Sequence, residues 1–212
     1  FNPNPLFDVK WYRNKYHLTS DESALANYIY GGHDRRDPHP LFDSGYYRSL
    51  VTCRGISPLE HYLTQATDID PCILFDAEHV RSQCRALSGG SDTLAAPALL
   101  GYLVHPQNDA IDPHPFFSKK YYNNRYADVA ASDIDPFMHY MASGYGERRQ
   151  PHPLFEPNYY DEQCQDLGGL NPLTHYLTQG LASNLRPRRA REPDTSAKTL
   201  PANRRVVNLS KS

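Results

Sequence analysis

Apolar and polar positions along the chain repeat in a two-part pattern, and each round begins with a Pro-x-Pro-Leu-Phe phrase or a variant of it. The phenylalanine that closes the phrase recurs after 33 to 42 residues, at Phe7, Phe42, Phe75, Phe117 and Phe155. A period in this range is typical of stacked supersecondary units and not of one catalytic domain. The pattern predicts units 1 to 5, at about residues 1–37, 38–70, 71–112, 113–150 and 151–185.

The first half of each unit has the spacing of a short amphipathic helix. Asp, Ser or Glu follows the marker Phe and suits a helix N-cap. An aromatic pair lies four and five residues after the Phe, which fits one face of a helix with 3.6 residues per turn. The pairs are Trp11-Tyr12, Tyr46-Tyr47, Tyr121-Tyr122 and Tyr159-Tyr160, and unit 3 has His79-Val80 instead.

The second half of each unit predicts another short helix. The pairs Ser57-Pro58, Asp135-Pro136 and Asn171-Pro172 combine an N-cap with Pro at the first helical position. A His-Tyr pair follows, and Gly144 and Gly180 then stand where a left-handed residue would end the helix. The predicted core anchors of the two halves are Phe7, Phe42, Phe75, Phe117, Phe155, Tyr62, Tyr140 and Tyr176.

Together these halves predict an all-α fold, an array or compact bundle of about five short αα-hairpins over residues 1–185. Helices of roughly ten residues are marginal alone in water, so neighbouring units must stabilise them. We expect the Pro-x-Pro connectors to favour extended backbone and to hold consecutive hairpins at a set separation.

Residues 186–212 differ from the rest of the chain, with eight basic and two acidic residues and no aromatic side chain. The tail therefore carries a net charge of +6. Because the whole chain carries −2, residues 1–185 carry −8, and the two parts are of opposite sign. This composition predicts a flexible, disordered basic linker or tail. Its positive charge could also attract an anionic membrane or nucleic acid, although we expect no specific nucleic-acid partner.

Cysteine usage and hydropathy narrow the class of protein further. Cys53, Cys72, Cys84 and Cys164 show no Cys-x-x-Cys spacing, which removes the common metal and redox motifs. Cys84 and Cys164 occupy a slot that Tyr or Val fills in other units, so we expect them to be core residues. No apolar run approaches the roughly 20 residues of a membrane span, and a reducing, cytoplasmic compartment is the simplest expectation.

The phrases Tyr126-Ala127-Asp128-Val129, Asp135-Pro136-Phe137-Met138-His139-Tyr140 and Gly144-Tyr145-Gly146-Glu147-Arg148-Arg149 resemble a known repeat. The repeat occurs in bacterial surface-polysaccharide proteins, where it flanks glycosyltransferase domains of the rhamnan-synthesis, O-antigen or capsule type. Unit 4 matches the pattern of this repeat best, and unit 3 matches it weakly. The resemblance implies a neighbouring glycosyltransferase domain or a polysaccharide acceptor as partner, and it does not imply that this segment is itself the enzyme.

Two Asp-x-Asp sequences, at residues 68–70 and 133–135, are of the type that holds a divalent metal on a nucleotide sugar. Asp133, Asp135 and His139 are therefore weak candidates for a metal site. However, Asp135 precedes Pro136 at a predicted helix N-cap, and no Gly-rich phosphate loop precedes either pair. We favour helix capping, and expect no metal and no cofactor. One His per unit likewise favours a repeated structural hydrogen bond over metal binding.

The aromatic side chains carry the strongest functional signal. The chain contains 16 Tyr, and aromatic faces stack on sugar rings while Tyr hydroxyls bond sugar hydroxyls. Trp11, Tyr46, Tyr121 and Tyr159 are the candidate glycan-binding residues, although core packing of the same pairs is the competing interpretation.

The leading hypothesis is a non-catalytic helical-repeat module that serves a polysaccharide glycosyltransferase as scaffold, spacer or glycan-docking surface. It would be cytoplasmic, and its basic tail could place it at the face of the inner membrane. A free-standing glycan- or protein-binding repeat protein is the alternative. Glycosyl transfer by the segment itself, through its Asp-x-Asp sequences, is a third hypothesis that we weigh below both.

Overall fold

The computed structural model describes residues 2–32, 35–65, 69–91, 94 and 97–190. These residues form eleven α-helices and no strand, which confirms the all-α prediction for this part of the chain. The first halves of units 1 to 5 contain α1 (Val9–Lys15), α3 (Ser44–Leu50), α5 (Ala77–Leu87), α7 (Lys119–Arg125) and α10 (Pro157–Asp161). The second halves contain α2 (Ala24–Asn27), α4 (Pro58–Gln65), α6 (Ala98–Val104), α9 (Pro136–His139) and α11 (Pro172–His175). Unit 4 also contains α8 (Ala127–Ala130).

Three of the second helices widen into π-helical turns. These turns are Tyr28–Gly32 after α2, Tyr140–Gly144 after α9 and Tyr176–Gly180 after α11. A 3-10 turn, Asn108–Ala110, follows α6. None of the helices described is long and apolar enough to cross a membrane.

Side-chain caps start most of the first helices, as predicted. The side chains of Asp8, Asp43 and Asp76 each accept a hydrogen bond from the amide of the residue three positions later, at 2.8–3.0 Å. Ser118 does so at 3.4 Å. Glu156 makes no such bond, and Pro157 starts α10 by supplying a helical φ without an amide that needs a partner.

The N-caps of the second helices are confirmed at each of the three predicted positions. Asp135 accepts the amides of Phe137 and Met138 at 2.9 and 3.1 Å, and Asn171 accepts that of Leu173 at 2.9 Å. Ser57 accepts the Glu60 amide at 3.0 Å.

The Pro-x-Pro phrases are tight turns, so the expectation of extended connectors is wrong. In each phrase the amide of the marker Phe donates to the carbonyl of the residue between the two proline positions, at 2.9–3.2 Å. This bond closes a β-turn whose second residue in most phrases is Pro, which has the φ that this position requires. Unit 3, with Cys72-Ile73, keeps the turn without the second proline.

A second backbone bond joins each turn to the next unit. In units 1 to 4 the amide that follows the marker Phe donates to the carbonyl of the proline that opens the following phrase, and in unit 5 it donates to the carbonyl of Pro187. The pairs are Asp8 with Pro38, Asp43 with Pro71, Asp76 with Pro113, Ser118 with Pro151 and Glu156 with Pro187, at 2.8–3.1 Å. Because it uses only main-chain atoms, this bond survives the changes of side chain between units.

The core of each unit is built around the marker Phe and rings of both helices. In units 1, 2, 4 and 5 three rings meet, with centroids 5.3–6.0 Å apart: Phe7, Tyr12 and Tyr28; Phe42, Tyr47 and Tyr62; Phe117, Tyr122 and Tyr140; Phe155, Tyr160 and Tyr176. In unit 3, Phe75 meets Tyr102 at 5.5 Å, and Val80 replaces the third ring. All eight predicted anchors are buried.

Gly144 and Gly180 do not take the left-handed conformation predicted for them. Both lie at the ends of π-helical turns, and the positive φ angles fall four residues later, at Arg148 (57°) and Asn184 (54°). Glycine is needed here for space, since a Cβ at Gly144 would collide with the Tyr122 hydroxyl and one at Gly180 with that of Tyr160.

Cys84 is fully buried, whereas Cys164 is half-buried against the core. Residues 186–190, the start of the predicted tail, pack against unit 5. The side chain of Gln163 accepts the Arg186 amide at 3.0 Å and donates to the Arg186 carbonyl at 2.8 Å. The remainder of the predicted tail, residues 191–212, lies outside the described residues.

Candidate functional site

The four candidate glycan-binding residues share one position, four residues after the marker Phe. Trp11, Tyr46, Tyr121 and Tyr159 are all half-buried, whereas the next residue in each case is a fully buried ring of the core. The helical period explains the difference, because a rotation of about 100° per residue turns one ring of the pair inward and leaves the other at the surface. Core packing therefore accounts for the second ring of each pair and only partly for the first.

The candidates Tyr121 and Tyr159 line one open groove of about 620 Å³ between α7 and α10. The groove also receives residues from the end of unit 4, including Gln150, and residues Arg188 and Arg189 that follow unit 5. Its volume falls within the usual range of about 300–1,000 Å³ for ligand sites. The groove therefore brings two of the four predicted residues together across a unit boundary.

Charged side chains dominate the walls of this groove. Four arginines, Arg125, Arg148, Arg188 and Arg189, line it together with Glu156 and Glu162. Basic groups outnumber acidic ones there by two, in contrast to the acidic body of the chain. The sequence analysis did not single out Arg125 and counted Arg188 only among the eight basic residues of the tail, because no motif marks a shared site.

Trp11 and Tyr46 do not line this groove. The Lys15 ammonium lies 4.6 Å from the centre of the Trp11 ring, a cation–π contact that covers part of one face. Arg189 similarly lies 5.3 Å from the centre of Tyr159, where it also bonds Glu162. A second open cavity, of about 520 Å³, is lined by residues 48 and 51–56 and contains none of the predicted residues.

Two of the three weak metal candidates, Asp135 and His139, are engaged in structural bonds, and Asp133 is exposed. One carboxylate oxygen of Asp135 caps α9, and the other lies 2.6 Å from the Nζ of Lys119. His139 uses its Nδ1 to bond the Tyr122 hydroxyl at 3.1 Å. Within the described ranges, no group of three His, Cys, Asp or Glu side chains could hold a metal ion.

Lys119 was missed by the sequence analysis, although only 2% of its side chain is exposed. Its Nζ bonds the Asn108 carbonyl at 3.0 Å and the Asn108 side chain at 2.5 Å, and it lies 4.8 Å from the centre of Tyr102. Such a buried charge is tolerated because its donors are satisfied. The adjacent Lys120 is exposed, so the sequence gives no signal for which lysine is buried.

The histidines of the Pro-His-Pro phrases have one repeated structural role. In the Pro-His-Pro phrases, Nδ1 of His39, His114 and His152 accepts a hydrogen bond from the amide of the residue two positions later, at 3.1 Å. Asn4 does the same through its side-chain oxygen at 2.8 Å. Burial lowers the pKa of His39 and of His114 to about 4, which keeps the imidazole neutral and able to accept.

Comparison of the chain with protein families, with curated proteins and with solved structures finds no match. The repeated surface rings and the charged groove are therefore the features from which a function can be inferred.

Proposed function

We propose that this chain is a non-catalytic helical-repeat module of a bacterial polysaccharide glycosyltransferase system, in which it docks glycan. In this proposal, five αα-hairpin units joined by Pro-x-Pro turns form a rigid scaffold. A neighbouring glycosyltransferase domain or its polysaccharide acceptor is the partner, and the module works at the cytoplasmic side of the inner membrane. The resemblance of unit 4 to the repeats that flank such enzymes supports this association.

The observation that carries the docking role is the half-buried ring at the same position of units 1, 2, 4 and 5. These four units present the ring at the same position of the first helix, and unit 3 has His79 there. A polysaccharide is itself a repeating chain, so a repeated stacking platform suits it better than it suits a small substrate. Aromatic rings bind sugars through their faces at little conformational cost, because a Tyr side chain has few torsions to immobilise.

A non-catalytic role is supported by the engagement of Asp135 with Lys119 and with the α9 amides. A carboxylate with both oxygens so occupied is a poor metal ligand for a nucleotide sugar, which needs oxygens that converge on the ion.

Titration of the full 212-residue chain with a panel of neutral and acidic polysaccharides tests the proposal. We expect at least one to bind, and we expect Tyr121→Ala and Tyr159→Ala each to weaken binding by about tenfold, since an aromatic stacking contact contributes about 1–1.5 kcal/mol. Tyr30→Ala is the matched control, because Tyr30 is 87% exposed but lies outside the series. Absence of binding to every member would remove the docking role. Transfer from a nucleotide sugar that Asp133→Ala abolishes would overturn the non-catalytic role.

A further inference from the structure

We propose that the groove between α7 and α10 binds an acidic polysaccharide, with Arg125 and Arg188 holding a sugar carboxylate. The inference rests on the proposed glycan-docking function and narrows it to one class of glycan and to one place on the scaffold.

The pairing of charges in the groove identifies these two arginines. Arg148 bonds Asp161 at 2.5 Å, and Arg189 bonds Glu162 at 2.6 Å, so both are already neutralised. Arg125 and Arg188 line the same groove and form no ion pair with any described residue. Arg125 is held near the Tyr126 ring, whose centre lies 5.9 Å from its guanidinium carbon.

These two guanidinium groups lie in a groove whose other walls suit a sugar. Tyr121 and Tyr159 supply ring faces or edges for a pyranose. Asn158 is exposed in the same groove and can donate to, or accept from, a sugar hydroxyl. A guanidinium presents a planar fork of donors that matches a carboxylate bidentately, so the arginines suit a uronic acid better than a neutral sugar.

The acidic residues of the groove argue against nucleic acid as the ligand. Aromatic rings and arginines also bind single-stranded nucleic acid, which places a phosphate at every nucleotide. Glu156, which makes no ion pair with a described residue, would repel such a continuous row of charge. In contrast, carboxylates accept hydrogen bonds readily from sugar hydroxyls. A glycan with charge on some residues and hydroxyl groups on all of them fits this mixture.

Calorimetric titration of the full chain with three probes tests the inference. The probes are a hexasaccharide in which a uronic acid alternates with a neutral sugar, its fully methyl-esterified form and a single-stranded oligonucleotide. The ester keeps the sugar and removes the charge, so we expect it to bind at least about tenfold more weakly than the acid, as loss of one charge-assisted hydrogen bond predicts. We expect the oligonucleotide to bind more weakly than the acid.

The double variant Arg125→Gln with Arg188→Gln should reduce affinity for the acid by about 100-fold, with unchanged circular dichroism. Lys120→Gln removes one positive charge from an exposed position of α7 that does not line the groove, and should change affinity less than about twofold.

Each contrary result has a distinct meaning. Equal binding of acid and ester, unaffected by the arginine variant, would overturn the inference and leave the docking function standing. Equal loss in the Lys120 control would also overturn it, since general charge would then explain the binding. Tighter binding of the oligonucleotide would replace the glycan by nucleic acid. Failure of these probes and of every polysaccharide in the panel would remove the docking function as well.

Discussion

The hydroxyl of Tyr122 lies 3.1 Å from Nδ1 of His139, and this hydrogen bond joins the two halves of unit 4. The same bond recurs between Tyr47 and His61 at 2.9 Å and between Tyr160 and His175 at 2.6 Å, and in unit 1 Tyr12 donates to Asn27 at 3.0 Å. Unit 3 lacks both partners, since Val80 and Gly101 occupy these positions. The paired loss indicates that the two side chains work together.

Substitution of Gly144 by Ala should lower the free energy of unfolding by about 1–3 kcal/mol, because the new methyl group would collide with the Tyr122 hydroxyl. The variant Tyr122→Phe removes that hydroxyl, so the double variant should lose at least about 1 kcal/mol less than the two single losses together. Urea unfolding of the four proteins measures this coupling. Gly31→Ala is the control, since nothing lies within 4 Å of its added methyl group. Strict additivity would contradict the assigned collision.

Stability should fall as the pH drops from about 6.5 to about 4, because the pKa of buried His39 and of His114 is lowered to about 4. Over this window the unfolded chain binds protons that the folded chain does not bind. The contribution to stability is therefore complete above pH 6.5 and is lost progressively as the pH falls toward 4. Each imidazole should contribute about 3 kcal/mol to the change.

Urea unfolding across this pH range, on the wild type and on His39→Asn with His114→Asn, tests this expectation. Asn fills the same slot at Asn4, so the variant should fold and show a flatter pH dependence. His105→Asn is the control, because His105 makes the same bond to the Gln107 amide but is only half-buried. A variant with the wild-type slope would refute the role of these two imidazoles.

The Lys119–Asp135 pair should be structural and should not bind metal. Asp135→Asn keeps a capping side chain but leaves the buried ammonium unpaired, and should lower the free energy of unfolding by about 3 kcal/mol. Adding Lys119→Met should recover most of that loss. Asp133→Ala, at an exposed position, should change the free energy of unfolding by less than about 0.5 kcal/mol. A rise in the melting temperature with Mn²⁺ that both Asp variants abolish would contradict this assignment.

The sequence predicted those features of the fold that depend on neighbouring residues. Helix N-caps at Asp8, Asp43 and Asp135 follow from residue type and position, and burial of the marker Phe follows from the helical period. The π-helical turns and the need for glycine at Gly144 were not predictable, because they depend on which hydroxyl meets which backbone across two helices. For the same reason, the sequence identified Tyr121 and Tyr159 but not the arginines that the unit boundary places beside them.

Aromatic carbon–proton NMR of the full chain, titrated with neutral and acidic oligosaccharides, tests glycan docking most directly. Each Tyr ring reports for itself, so surface and core rings are compared in one experiment. The account predicts that an oligosaccharide shifts the ring signals of Tyr121 and Tyr159 and leaves those of buried Tyr122 and Tyr160 in place. Shifts confined to Tyr30, or no ring shift with any oligosaccharide, would contradict it.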